Sequence, residues 1–156
     1  MIVQVVLADT GRAVPGGASL NLLNAGWTAT MALPHPEGGY MLPSQAIAVF
    51  VQAEWNELNR PLNMIAELVD DENHPAEMVG PEGLQPVRVT AEVQVPPVPG
   101  APNGTPGHTT AFVEWPAGSI RIRAPRHRYI WRVTIGDAVG EAGFWVQPPP
   151  PGLTIQ

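Results

Sequence analysis

The stretch His127-Arg128-Tyr129-Ile130-Trp131-Arg132-Val133-Thr134-Ile135-Gly136-Asp137-Ala138-Val139-Gly140-Glu141-Ala142-Gly143-Phe144-Trp145-Val146 decides the fold class. Tyr129, Trp131, Val133 and Ile135 fall on one side of an extended chain, Arg128, Arg132 and Thr134 on the other. A period of two is the mark of a strand with one dry and one wet face. Gly136-Asp137 then reads as a two-residue hairpin turn, with glycine taking the positive φ that a tight return needs. The returning segment places Ala142, Phe144 and Val146 on the dry side and leaves Trp145 on the opposite one.

Outward from this hairpin, the same alternation recurs. Val87 to Val95 alternates strictly, with valines and Ala91 on one face. Ile2 to Leu7 is rich in β-branched residues. Gln45 to Glu54 is apolar on both faces except at its ends, as a central strand covered on both sides requires. Leu62 to Val69 presents Leu62, Met64, Ala66 and Leu68 together, and Asp70-Asp71-Glu72-Asn73 closes it as a polar turn. Ala76 to Val79 reads as a short return strand, and Ala111 to Trp115 and Ser119 to Arg123 as two more. Ser19 to Leu23 and Trp27 to Leu33 flank Asn24-Ala25-Gly26 and are expected to pair. A brief coil around Asn56 to Arg60 is the sole helical candidate. Short strands punctuated by Gly and Pro predict an all-β chain, an antiparallel β-sandwich of jelly-roll or immunoglobulin-like type with about 8–10 strands.

Composition agrees. The chain has 156 residues, 44% of them hydrophobic and only 14% charged, with 19 prolines, 16 glycines and no cysteine. This length suits one domain with a sizeable core, and the composition excludes a coiled coil, a helical bundle, a collagen and a disulfide scaffold. Two segments resist regular structure. The first is the loop Pro96 to Gly107. The second is the run Pro148-Pro149-Pro150-Pro151, expected to be an extended polyproline segment. The predicted organisation is a sandwich domain over 1–147 and a tail over 148–156.

A net charge of −6 argues against nucleic acid, where cations that neutralise phosphate dominate affinity. The longest apolar run, Ala46 to Val51, is too short for a membrane span. The first basic residue, Arg12, follows the first apolar run, contrary to a signal peptide, so synthesis in the cytoplasm is expected. Every basic residue is arginine, as a GC-rich coding sequence favours.

Catalytic signatures are sparse. Ser19, Ser44 and Ser119 lack the glycine-flanked elbow of a nucleophilic serine. His35, His74, His108 and His127 lack the close spacing of zinc ligands. Asp70-Asp71-Glu72 lacks the alternation and central glycine of a calcium loop. Neither the spacing of Glu54, Glu57, Glu67 and Glu92 nor the sequon Asn103-Gly104-Thr105 points to chemistry. No enzyme activity, cofactor or metal is expected.

Charge distribution says more. Arg121, Arg123, Arg126, Arg128 and Arg132 fall in a stretch without an acid, whereas Glu67, Asp70, Asp71, Glu72, Glu77 and Glu82 cluster earlier. That asymmetry fits either pairing within the chain or docking to an oppositely charged neighbour. Trp27, Trp55, Trp115, Trp131 and Trp145 supply most of the aromatic mass. Trp131 has core parity, and exposed tryptophans at strand ends serve as interface anchors or sugar platforms.

Three stretches carry a resemblance: Val5-Val6-Leu7-Ala8-Asp9; Leu20-Asn21-Leu22-Leu23-Asn24-Ala25-Gly26-Trp27; and Glu54-Trp55-Asn56-Glu57-Leu58-Asn59-Arg60-Pro61 ahead of Glu67-Leu68-Val69-Asp70. Their arrangement resembles a β-sandwich family of uncharacterised actinobacterial and actinophage proteins. The resemblance implies a fold and transfers no catalytic residue. Together these readings predict a non-enzymatic, protein-binding structural module. The expected setting is a bacteriophage virion, as a capsid decoration or tail-associated component, with self-association into a homo-oligomer. Arg121, Arg123, Arg128, Trp145 and Pro148, Pro149, Pro150 and Pro151 are the expected contact residues. A carbohydrate- or small-molecule-binding module using Trp55, Trp115 or Trp145 is the alternative, and a cupin-like enzyme ranks third.

Overall fold

A computed structural model describes residues 1–13 and 20–152. Ser19 and the tail residues beyond Gly152 lie outside the described residues. The chain is all-β, with fifteen strands among those residues: β1 (Ile2–Ala8), β2 (Thr10–Ala13), β3 (Leu20–Leu23), β4 (Ala29–Met31), β5 (Leu33–Pro34), β6 (Tyr40–Met41), β7 (Gln45–Ala53), β8 (Leu62–Asp70), β9 (Glu77–Gly80), β10 (Gly83–Pro86), β11 (Arg88–Val93), β12 (Gly107–Trp115), β13 (Ile120–Ile122), β14 (Arg128–Ile135) and β15 (Ala138–Gln147). A three-stranded sheet, β1-β7-β12, and a five-stranded sheet, β11-β8-β14-β15-β4, form the two layers. A second five-stranded sheet, β10-β9-β13-β6-β5, and the hairpin β2-β3 complete the structure.

The β14–β15 hairpin forms as its alternation demands. Ile135 pairs with Ala138 across a two-residue turn, and Gly136 adopts φ +57°. Tyr129, Trp131, Val133, Ile135, Phe144 and Val146 are buried in the shared core. Each large side chain withdrawn from water contributes on the order of 1.5–3 kcal/mol, so this one hairpin anchors much of the sandwich.

Opposite it, β7 is the central strand of its sheet, flanked by β1 and β12. Ile47, Val49, Val51 and Ala53 enter the core. Ala46 and Ala48 on the other face are also buried, because β2 and β3 lie over that end. A Cβ on Gly11 would meet Phe112 at 2.6 Å and Leu22 at 3.0 Å, and the Thr10 hydroxyl donates to Glu114.

The pairing expected on either side of Asn24-Ala25-Gly26 does not form. β3 pairs with β2, Leu20 opposite Ala13 and Leu23 opposite Thr10. β4 instead runs parallel to β15, with Ala29 opposite Trp145 and Met31 opposite Gln147. Asn24 and Gly26 both take positive φ, +52° and +81°, so a turn exists as the sequence implies. Gly26 N–H, however, bonds the Leu7 carbonyl at 2.7 Å. This bond pins the turn to β1 and sends the chain on to the larger sheet. β4–β15 is therefore a parallel pair where the other strand pairs among the described residues are antiparallel.

The helical candidate is a single 3-10 turn over Trp55–Glu57, starting one residue before Asn56 and ending before Arg60. Glu57 accepts from the Glu54 N–H at 2.9 Å. The segment between Val93 and Gly107 contains no strand, and β12 starts at Gly107, ahead of the expected Ala111. Pro148 to Pro150 follow β15 without regular structure, and a turn at Pro151-Gly152 ends the described chain.

Candidate protein-docking surface

The outer face of the larger sheet is built by the residues whose parity opposes the core. On β14 these are Arg128, Ile130, Arg132 and Thr134; on β15, Val139, Glu141, Gly143, Trp145 and Gln147. Arg128 and Trp145 are register partners, and Ala29 of β4 continues the row beyond Trp145. Trp145 is 54% exposed and Met31, beside Gln147, is 42% exposed. A large indole, a methionine and a guanidinium thus share one solvent-facing corner.

Glycine shapes this corner. A Cβ on Gly143 would sit 2.7 Å from Nη2 and 2.8 Å from Nε of Arg128. The missing side chain is what allows the Arg128 guanidinium to lie down on β15 over Gly143. Arg126, with φ +71°, donates its N–H to the Val146 carbonyl at 2.7 Å, and Val146 N–H returns a bond to His127 at 3.0 Å. These two bonds hold the start of β14 against the end of β15, next to the emerging prolines. On the far side Asp71 N–H bonds the Arg128 carbonyl at 3.0 Å, and the Asp71 carboxylate lies 3.5 Å from His127 Nδ1.

Farther along the same face, charges alternate across four strands. Glu141, Arg132, Glu67 and Arg88 occupy one row. Arg132 Nε donates to Glu141 at 2.7 Å and its Nη1 to Asn73 at 3.0 Å; Arg88 lies 3.4 Å from Glu67. Opposite charges facing across strands stabilise a sheet modestly, and this ladder neutralises the middle of the face.

The arginine cluster of the sequence is therefore split by the fold. Arg128 and Arg132 lie on the larger sheet. Arg121 lies on β13 in the second five-stranded sheet, where Nη2 donates to Glu37 at 2.9 Å. That pairing holds the Glu37 carboxyl below its ordinary range. Nε of Arg121 is buried without a partner among the described residues. Arg123 is exposed just past β13. Among the described residues Arg88, Arg121 and Arg132 are ion-paired within the chain, and no carboxylate lies within ion-pair distance of Arg123, Arg126 or Arg128. Pro148, Pro150 and Pro151 are exposed and Pro149 is half-buried; they continue directly from Gln147, whose carbonyl accepts from Ala32 N–H at 2.8 Å. The structure brings Arg128, Trp145 and the start of the proline run together and leaves Arg121 apart, on another sheet.

The other tryptophans divide by burial. Trp115 is 5% exposed and stacks on Trp131 at 4.2 Å between ring centroids, which removes it as a surface platform. Trp27 packs edge-on against Phe144 at 5.2 Å, and Trp55 is 45% exposed on its 3-10 turn. Met31 and Ala29 were not singled out from sequence, since only the parallel pairing of β4 carries them to Trp145.

The remaining polar candidates occupy ordinary structural positions. Ser119 donates to the Pro116 carbonyl at 2.7 Å, closing a turn. Ser44 lies in a hollow with Asp9, Thr10 and Glu114, and no imidazole lines it. His74 Nδ1 faces Asp70 at 3.4 Å and Glu72 at 3.6 Å, while Asp70 also accepts from the backbone N–H groups of Glu72 and His74. Among the described residues no three histidine, aspartate or glutamate side chains are grouped to hold a metal ion, and no helix is long and apolar enough to cross a membrane. Compared with protein-family models, with curated proteins and with solved structures, the chain finds no match in any of the three.

Proposed function

We propose that this chain is a non-enzymatic, protein-binding module that docks through the corner formed by Arg128, Trp145, Ala29 and Met31. The observation that carries the reading is the Arg128–Trp145 pair. Tryptophan and arginine dominate interface hot spots, and here they are register partners on one exposed face, with Gly143 letting the arginine lie flat. An already extended proline run loses little entropy when it is laid along a neighbour. Pro148 to Pro151 emerge from this corner and extend the contact. Arg123 and Arg126 add positive charge on the connection that leads into β14. A partner surface with an acidic rim around an apolar centre fits this corner.

The setting we propose is a bacteriophage virion, with the chain as a capsid decoration or tail-associated component. A sandwich fold with an exposed Arg128–Trp145 corner and a lysine-free composition support it. The test is co-sedimentation of the full-length chain with purified particles from the phage or host that encodes it. Wild-type chain is expected in stoichiometric amounts, and Trp145→Ala or Arg128→Glu chain to be depleted at least tenfold. Wild-type chain that fails to co-sediment with the particles, or particles that retain both variants fully, overturn the reading.

A further inference from the structure

We infer that β12 is a self-association edge, along which a second copy of this chain adds antiparallel to give a continuous six-stranded sheet. This inference rests on the reading that the chain assembles with protein, but it concerns a different surface from the Arg128–Trp145 corner.

The two ends of the three-stranded sheet are treated differently. At the β1 end, the backbone abuts β15 so closely that a Cβ on Gly140 would lie 2.7 Å from the Val3 carbonyl oxygen. That edge is closed. At the other end β12 pairs only with β7, over all nine residues from Gly107 to Trp115, and among the described residues no strand lies along its outer side. Folded proteins blunt such edges with lysine, proline, bulges or charge. From His108 to Val113 β12 has none of these: His108-Thr109-Thr110-Ala111-Phe112-Val113 contains no proline, lysine, arginine or acid, and its register with β7 runs without interruption. The one acid of β12, Glu114, lies near its end, whereas the edge strand β11 carries both Arg88 and Glu92.

The sequence of β12 is complementary to itself. Antiparallel pairing about a two-fold axis at Ala111 places His108 opposite Glu114, Thr109 opposite Val113 and Thr110 opposite Phe112, each pair twice. The imidazole N–H meets the Glu114 carboxylate, one oxygen of which also accepts from Thr10 and Gly11 of β2, and the Thr109–Val113 and Thr110–Phe112 pairs are of the β-branched and aromatic kind that favours cross-strand contact. The shape agrees as well. The Phe112–Glu114 half of the outer face is covered by β2 and β3. The His108–Thr110 half is an open hollow of about 160 Å³ containing Ile2, Gln4, Phe50 and Gln52. Ile2 is 53% and Phe50 36% exposed. Reversing the strand in a second copy sets each open half beside the partner's covered half, as an isologous interface requires.

The full-length chain is examined by sedimentation velocity from low to about 100 μM. Wild type is expected at twice the chain mass. His108→Glu, which sets like charges opposite each other, and Thr110→Lys, which charges the edge, are each expected to weaken the dimer about tenfold or more, with circular dichroism confirming folded protein. Because the chain has no cysteine, Ala111→Cys reports the register: oxidation cross-links it across the axis, while His108→Cys stays uncross-linked. A monomer at every concentration, a dimer indifferent to both charge variants, or equal cross-linking at 108 and 111 overturns the inference. Trp145→Ala is expected to leave the dimer intact, so failure here is separable from failure of the particle-docking reading.

Discussion

Trp131 on β14 donates its indole N–H to the side-chain oxygen of Gln45 on β7, at 3.1 Å, in the interior between the two layers. Gln45 is 2% exposed and is the one buried polar side chain among the described residues. Trp131 is fully buried and stacks on Trp115. A buried indole N–H needs an acceptor, since leaving one unmatched costs about 1–3 kcal/mol. This bond ties β14 to β7 across the core.

Gln45→Leu is expected to lower unfolding free energy by about 1–3 kcal/mol in urea titrations, since the indole N–H loses its acceptor. Combining it with Trp131→Phe should cost less than the two single changes added together, because both partners are then gone. A Gln45→Leu chain as stable as wild type would show that the bond contributes nothing net.

Gly140 is a point of close approach between β1 and β15. Its hypothetical Cβ meets a backbone oxygen rather than a pliable side-chain end, so Gly140→Ala must push β1 away from the larger sheet. The expected loss is about 1–3 kcal/mol, the range for overpacking a closed site. Gly143→Ala has a softer neighbour, the Arg128 side chain, and should cost less stability. Thermal melts of the two variants check the order; equal melting temperatures would refute the distinction.

Tyr129 makes stability fall in alkali. Burial, reinforced by the nearby Asp70 carboxylate, pushes its phenol from an ordinary value of 10.0 up to about 12. The folded chain thus holds this proton where the unfolded chain releases it. The stabilisation is fully present below pH 10 and declines as pH rises from there through about 12. Melting temperature should decline over that window, and Tyr129→Phe should flatten the decline. In spectrophotometric titration of the folded chain, this phenolate should appear only near the top of the window. A normal titration near pH 10 would mean the ring is not shielded in solution.

Alternation makes the long strands legible in the sequence. Tyr129, Trp131, Val133 and Ile135 are buried as their parity requires, and so are Met64, Ala66 and Leu68. The short strands were not legible. Thr10–Ala13 and Gly83–Pro86 are too brief for a period to register, and Tyr40–Met41 spans only two residues. The turn at Asn24-Ala25-Gly26 was visible, but its consequence was not, because the Gly26–Leu7 bond joins segments separated in sequence. The same holds for the docking corner. Trp145 revealed itself by opposing the parity of Phe144 and Val146, whereas Arg121 looked equivalent to Arg128 until the fold placed it beside Glu37.

What the amino-acid order determined by itself is which side of each long strand turns from water, since side-chain direction in an extended chain reverses at every residue and hydrophobicity then chooses the face. That local rule is silent about which strand lies beside which. Tertiary structure alone decided that β4 runs parallel to β15, that Gln45 meets Trp131, and that β1 abuts β15 while, among the described residues, no strand pairs with the outer side of β12. Each of these depends on backbone groups far apart along the chain finding partners at a specific distance, and no local periodicity encodes that choice.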